Sequence, residues 1–216
     1  TWTGTGQNPI EWMANNPVTY KKYKVLSTVF ADITPIKNLT IHTQFGADYS
    51  HSTAFMQSYP SYIINNGQGS AGRNSSDALT LSETTTVNYR WEVNENHSLN
   101  FLLGQEAVDY QSTGFQVVTR GQASDLLTNV TSGTRASQWA DSNDSYSYLS
   151  FFFRGEYNYK DLYYGEVAAR TDASSRFGKD HRWGVFWSLG FMWNIKNEAF
   201  LKDIEWLTGA PVSYTH

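Results

Sequence analysis

Hydrophobic and polar residues alternate along most of this chain. From Leu39 to Ser50 the odd positions are Leu39, Ile41, Thr43, Phe45, Ala47 and Tyr49, and the even positions are Thr40, His42, Gln44, Gly46, Asp48 and Ser50. A period of two sends successive side chains to opposite faces, so the segment is predicted to be a strand with one apolar and one polar side. From Ser147 to Tyr159 the odd positions hold Leu149, Phe151, Phe153, Tyr157 and Tyr159 with no charge; the even positions hold Ser150, Arg154, Glu156 and Asn158, with Phe152 as the exception. Looser alternation marks Tyr23 to Ile33, Leu79 to Trp91 and Ser98 to Tyr110. Leu162 to Thr171 and Phe186 to Asn194 follow, and Ile204 to Leu207 begins an eighth candidate.

The connections add more than the strands do. Pro35–Asn38, Asn94–His97 and Lys160–Asp161 are short polar turns of the kind that close hairpins. The joints at 51–78, 111–145 and 172–185 are long, rich in Gly, Ser, Asn and Asp, and read as loops. Short turns alternating with long loops are the rhythm of a transmembrane barrel with tight periplasmic turns and long external loops. Aromatics near strand ends (Tyr20, Tyr23, Tyr89, Trp91, Tyr157, Tyr159, Tyr163, Tyr164, Trp187, Trp193) fit interfacial girdles. A soluble β-sandwich shares the alternation and stays open as the alternative, a glycan-binding or adhesin module. A simple porin-type channel is a third reading.

Composition narrows the classes. The 216 residues suffice for one domain and permit two. Aromatics at 16%, chiefly Tyr, Phe and Trp, suit strands and boundaries between apolar and wet surroundings. The net charge of -4 comes without a block of one sign, which argues against a nucleic-acid partner. The absence of Cys removes disulfides and thiolate chemistry. No run approaches 18 apolar residues, so no transmembrane helix is expected, whereas a barrel strand leaves a weaker hydropathy signal. Glu156 and Glu166 are carboxylates on neighbouring strands, but no spacing ties them to glycosidase chemistry. No His-x-x-x-His or Gly-x-Ser-x-Gly occurs, and neither catalysis, metal nor cofactor is expected.

One stretch is specific. Arg170-Thr-Asp172-Ala-Ser174-Ser175-Arg-Phe177-Gly178 continues through Arg182-Trp183-Gly184-Val-Phe186-Trp187-Ser188 to Trp193, and then to Glu198 and Phe200. It resembles the signature of SusC/RagA-type TonB-linked outer-membrane proteins, departing from it at Ala173, usually Gly, and Trp187, usually Pro. Asn8-Pro9, resembling an external-loop Asn-Pro, and Leu39 to Tyr49 agree with the family more loosely. The resemblance implies an all-β antiparallel meander of about eight strands from a barrel of about 22. It also implies TonB-dependent uptake of oligosaccharides or other large nutrients across the bacterial outer membrane. The implied partners are outer-membrane lipid, TonB, an N-terminal plug not encoded here, and a SusD-like lipoprotein over the external loops.

Three sets of residues become candidates for function. Arg154, Glu156, Glu166, Arg170 and Asp172 share one side of their strands. A charge on the lipid side costs about 2–4 kcal/mol for Arg or Lys at mid-bilayer, so this side is expected to face the lumen as an ion-pair lattice. Tyr59, Tyr62, Trp139, Tyr146 and Tyr148 sit in the long joints among amides and carboxylates and could stack on a sugar or pack the loops. The motif residues Arg170 to Phe200 form the third set.

Both ends read as truncated. Residues 1–208 are expected to be barrel, and 209–216, where Gly209-Ala-Pro-Val-Ser-Tyr-Thr-His216 breaks the strand pattern and resembles translated adapter sequence, a non-native tail. Eight strands with two unpaired edges should self-associate in water. Membrane fractionation separates the main readings: a barrel segment will require detergent, whereas a sandwich module will run as a monomer in buffer.

Overall fold

The computed structural model of the chain describes residues 8–198 and 211–216. Eight strands form one sheet in strict sequence order: β1 (Val18–Ile36), β2 (Leu39–Ser58), β3 (Gly69–Asn94), β4 (His97–Gln122), β5 (Arg135–Tyr159), β6 (Tyr163–Ser174), β7 (Trp183–Asn194) and β8 (Pro211–Thr215). Each expected strand among the described residues is present. The order is a meander with β1 and β8 as edges, not two packed layers, so the sandwich alternative does not describe this chain.

Two expectations change. The joints at 51–78 and 111–145 are mostly strand, because β2 and β3, and again β4 and β5, run on far past the apolar segments. The connections shrink to 59–68 and 123–134. A strand outside an apolar layer needs only its ladder partner, so both its faces can be polar and the alternation that marks it in sequence disappears. The segment before β1 also holds a short helix, α1 (Pro9–Asn15), where a loop is expected; the Asn8 side chain accepts from the Ile10 N–H, and Pro9 opens the first turn. The candidate strand Ile204–Leu207 and Phe200 lie outside the described residues. Residues 211–215 of the expected tail pair antiparallel with β7, with Pro211 as the first residue of β8, where a missing N–H is tolerated.

The chain divides into two compact units. One comprises Thr1–Leu26, Ala47–Thr80 and Tyr110–Ser145, the strand ends that lead into the 59–68 and 123–134 connections. Its small core is Tyr62, Ala71 and Gln122. The other comprises Ser27–Gly46, Leu81–Asp109 and Tyr146–His216, which contain the short turns, the second half of β5, and β6 and β7.

The short turns are fixed by their own side chains. Asn94 Oδ1 accepts from the N–H groups of Asn96 and His97, a turn that mimics a backbone bend. Lys160 and Asp161 both take positive φ, +54° and +56°, and Asn158 holds Asp161 through both its amide atoms. Across β5, β6 and β7 the register sets Ala169 between Phe153 and Trp187, and Thr171 between Phe151 and Val185. On the opposite side Glu156 faces Glu166, and Phe152 faces Arg170. Phe152, the exception in the sequence pattern, fills the space over Gly104, where an added Cβ would lie 2.0 Å from the ring.

Gly104→Ala in the intact protein should therefore destabilise the wall by about 1–3 kcal/mol through overpacking, and adding Phe152→Ala should recover part of the loss. Heat-modifiable gel mobility against temperature measures both; an unchanged midpoint for Gly104→Ala would contradict the packing described.

Candidate functional site

The charged side of β4, β5 and β6 carries two clusters, both inside the second unit. In the first, one Nη2 of Arg154 reaches Glu156 Oε1 at 2.7 Å and Glu166 Oε2 at 2.8 Å. The register forces the two glutamates into a directly opposed like-charge pair, which is unfavourable in a sheet, and the guanidinium bridges them. Asn100 Nδ2 donates to the other Glu156 oxygen at 3.0 Å. In the second cluster, Arg170 Nε donates to Asp172 at 2.6 Å, and its Nη2 donates to Glu106 at 3.0 Å and to Ser150 Oγ at 3.1 Å. The same guanidinium lies 5.6 Å over the Phe152 ring. Each cluster joins one arginine to two carboxylates and so keeps a net negative charge.

All five expected lattice residues are thus brought together, in two groups. Glu106, Ser150 and Asn100 complete them and were not singled out from sequence. Their even parity in Ser98 to Tyr110 and Ser147 to Tyr159 is the signal that places them on this side. With side chains 36–48% exposed, the arginine pairs are solvent-screened, and each is worth about 0–1 kcal/mol.

The motif residues have structural work of their own. Between β6 and β7, the Ser174 N–H donates to the Arg182 carbonyl at 3.2 Å, and Ser174 Oγ accepts from the Arg176 N–H. Ser175 exchanges two hydrogen bonds with Ser147 on β5, one through its N–H and one through its Oγ. The two serines close backbone groups that a tight connection leaves without ladder partners. Trp183 stacks on Phe151, with centroids 6.3 Å apart. Glu198 accepts from Tyr163 Oη at 2.8 Å and Trp193 Nε1 at 3.1 Å, tying the aromatic strand ends to the turn that follows β7. Gly184 and Phe186 lie together on the charged side, and Ser188 faces Ala168 there. Phe177 is exposed, and Gly178 leads into the turn at Lys179–His181.

The aromatic candidates divide between the units. Tyr62, 5% exposed, is packed under the 59–68 connection and offers no face to a ligand from solution. Tyr59 is half-buried in the same segment, and its N–H donates to the Asn15 carbonyl. Trp139 on β5 is 73% exposed. Tyr146 and Tyr148 tilt against each other 5.1 Å apart, with the Arg176 guanidinium 4.5 Å over the Tyr146 ring.

Comparison with known proteins returned no matching family model. The chain is 30% identical over 173 residues to the TonB-dependent receptor SusC of Bacteroides thetaiotaomicron, a match covering 80% of this chain and 17% of the receptor. It is 26% identical over 208 residues to the TonB-dependent receptor P26 of Formosa agariphila, covering 92% of this chain and 21% of the relative. Among solved structures, the RagAB peptide transporter superposes over the whole chain with a TM-score of 0.92 at 27% identity, using 24% of that protein. The RagAB peptide importer in its open-open state gives 0.91. The chain therefore spans about a fifth of the length of these relatives.

Arg154→Ala should leave Glu156 and Glu166 facing each other uncompensated and lower stability by about 1 kcal/mol, an effect screened by salt. Adding Glu166→Gln should restore most of it. Thermal midpoints at low and high ionic strength measure this, and equal loss in both variants would exclude the bridging role.

Proposed function

Because this chain belongs to the SusC/RagA-type TonB-dependent outer-membrane transporters and is one stretch of their strand-built wall, we propose that it supplies wall, lumen lining and external loops to an importer of oligosaccharides or other large nutrients. The observation that carries this reading is the separation of chemistry across β5–β7. Where β5 pairs β6, from 148 to 159, and on through β7, one side holds Phe151, Phe153, Leu189, Phe191 and Trp193 without a charge, and the other holds the arginine–carboxylate clusters. Such a sheet is stable where one side meets hydrocarbon and the other meets water, which supports an outer-membrane location with the clusters turned to the lumen.

Import in the whole protein would draw on TonB, acting through regions beyond this chain, and on a SusD-like lipoprotein over the external loops. The net negative clusters favour neutral or cationic cargo over anionic cargo as it passes the wall. Oligosaccharides fit that condition, and exposed aromatics such as Trp139 and Tyr148 offer stacking faces to sugar rings. Peptides are the second reading, favoured by the similarity to the RagAB peptide transporter.

Calorimetric titration of the intact receptor with neutral oligosaccharides and with peptides of similar size tests the substrate class. Trp139→Ala and Tyr148→Ala should each weaken oligosaccharide binding about 3- to 10-fold, the loss of one stacking contact of about 0.5–1.5 kcal/mol. Tyr62→Ala should lower stability and leave the affinity alone. Binding of peptides but not oligosaccharides would replace the carbohydrate reading.

A further inference from the structure

The apolar side of the second unit is not uniformly apolar. Glu83 on β3 lies on it: its Oε1 accepts from Thr85 Oγ1, its Oε2 accepts from Gln105 Nε2 at 3.1 Å, and Thr85 Oγ1 is 2.8 Å from Thr43 Oγ1. On the opposite side the carboxylates of the two clusters, Glu106, Glu156, Glu166 and Asp172, each meet an arginine. Among the described residues Glu83 has no cation within ion-pair distance. Two neutral donors hold its oxygens in place and leave its charge uncompensated.

Thr85 and Gln105 also line an apolar groove of about 650 Å³, together with Leu103, Phe151, Phe153 and Ala169. Its floor follows from the register. Ala169 lies between Phe153 and Trp187, and Thr171 between Phe151 and Val185, so small side chains sit in a row between large ones. Glu83 lies 11 residues before the end of β3 at Asn94, where the short turn begins. At about 3.3 Å per residue and a tilt of about 40°, that is a height of about 25–30 Å. An apolar band is about 25 Å tall, so Glu83 stands at the far interface from the short turns, at headgroup depth, with the groove reaching back into the hydrocarbon layer.

We propose that this groove and carboxylate form a binding site for a membrane lipid with an ammonium headgroup. One acyl chain would lie over Ala169 and Thr171 between the aromatic rims, and the ammonium would pair with Glu83. The proposal rests on the membrane-spanning reading above and adds to it a selected lipid. Charge complementarity commits the occupant: an anionic headgroup would be repelled by Glu83, and a neutral apolar surface would leave the carboxylate unpaired beside hydrocarbon.

The test uses the intact receptor, delipidated in detergent and titrated with phosphatidylethanolamine or phosphatidylglycerol of identical acyl chains, with retained lipid read by native mass spectrometry. Wild type should retain phosphatidylethanolamine at least about fivefold better. Glu83→Gln, which keeps the shape and loses the charge, should abolish the preference, lowering phosphatidylethanolamine retention and relieving the repulsion of phosphatidylglycerol. Ala169→Phe, which fills the floor, should reduce both. Thr85→Val, which removes one of the donors orienting Glu83, should weaken the preference. Equal retention of the two lipids by wild type, or an undiminished preference in Glu83→Gln, overturns the proposal. Heat-modifiable mobility of the same samples keeps the two readings apart: present with no lipid preference, only this inference fails; absent in wild type, the membrane-spanning reading fails with it.

Discussion

Backbone hydrogen bonding governs this molecule more than side-chain packing does. A strand surrounded by hydrocarbon has no water to satisfy its N–H and C=O groups, so every one must be met by a neighbouring strand. Between the edges β1 and β8 the strands meet that demand by pairing in sequence order, and the short turns at Asn94–His97 and Lys160–Asp161 satisfy backbone groups of their own through Asn94 and Asn158. Burial in the usual sense is almost absent: apart from Tyr62 and Ala71, no hydrophobic residue is fully enclosed among those described. The sheet's apolar side is left facing outward, with Val185 72% exposed, which is tolerable only if something apolar covers it.

Once the ladder is fixed, the pleat decides the rest. Strict alternation through β5, β6 and β7 leaves no freedom in which residues meet, and it brings Glu156 and Glu166 into opposition. Arg154 answers that conflict, and Arg170 performs the same service between Glu106 and Asp172. None of these pairs is strong, because water reaches them. Their effect is to offset the like charges that the register brings together on one side of the sheet.

Beyond the apolar layer the strands continue as paired ribbons. In the first unit the two connections are joined by Asp125, which accepts from both the N–H and the hydroxyl of Ser61, and by Arg135, which donates to Gln68. Tyr62, Ala71 and Gln122 are buried there. Connections anchored in this way present Trp139 from a paired strand and not from a loose coil, so an aromatic face can be held ready at low entropic cost.

Period-two alternation in Leu39 to Ser50 and Ser147 to Tyr159 determined the strands, the sidedness of each, and through the Arg170 to Glu198 motif the family. It could do so because alternation is written wherever the two faces of a strand meet different solvents. Where both faces are wet, from 51 to 58 and from 111 to 122, that contrast is gone, and only the ladder in three dimensions shows that the strands run on. The helix at Pro9–Asn15 was hidden for a related reason: seven residues are too few to display a period, although Asn8-Pro9 carried the cap. Parity assigned Arg154, Glu156, Glu166, Arg170 and Asp172 to one side, but their grouping in two clusters, and the entry of Glu106 into one of them, required the register between strands. Register is also what set Glu83 beside Gln105, a pairing that neither strand's own sequence discloses.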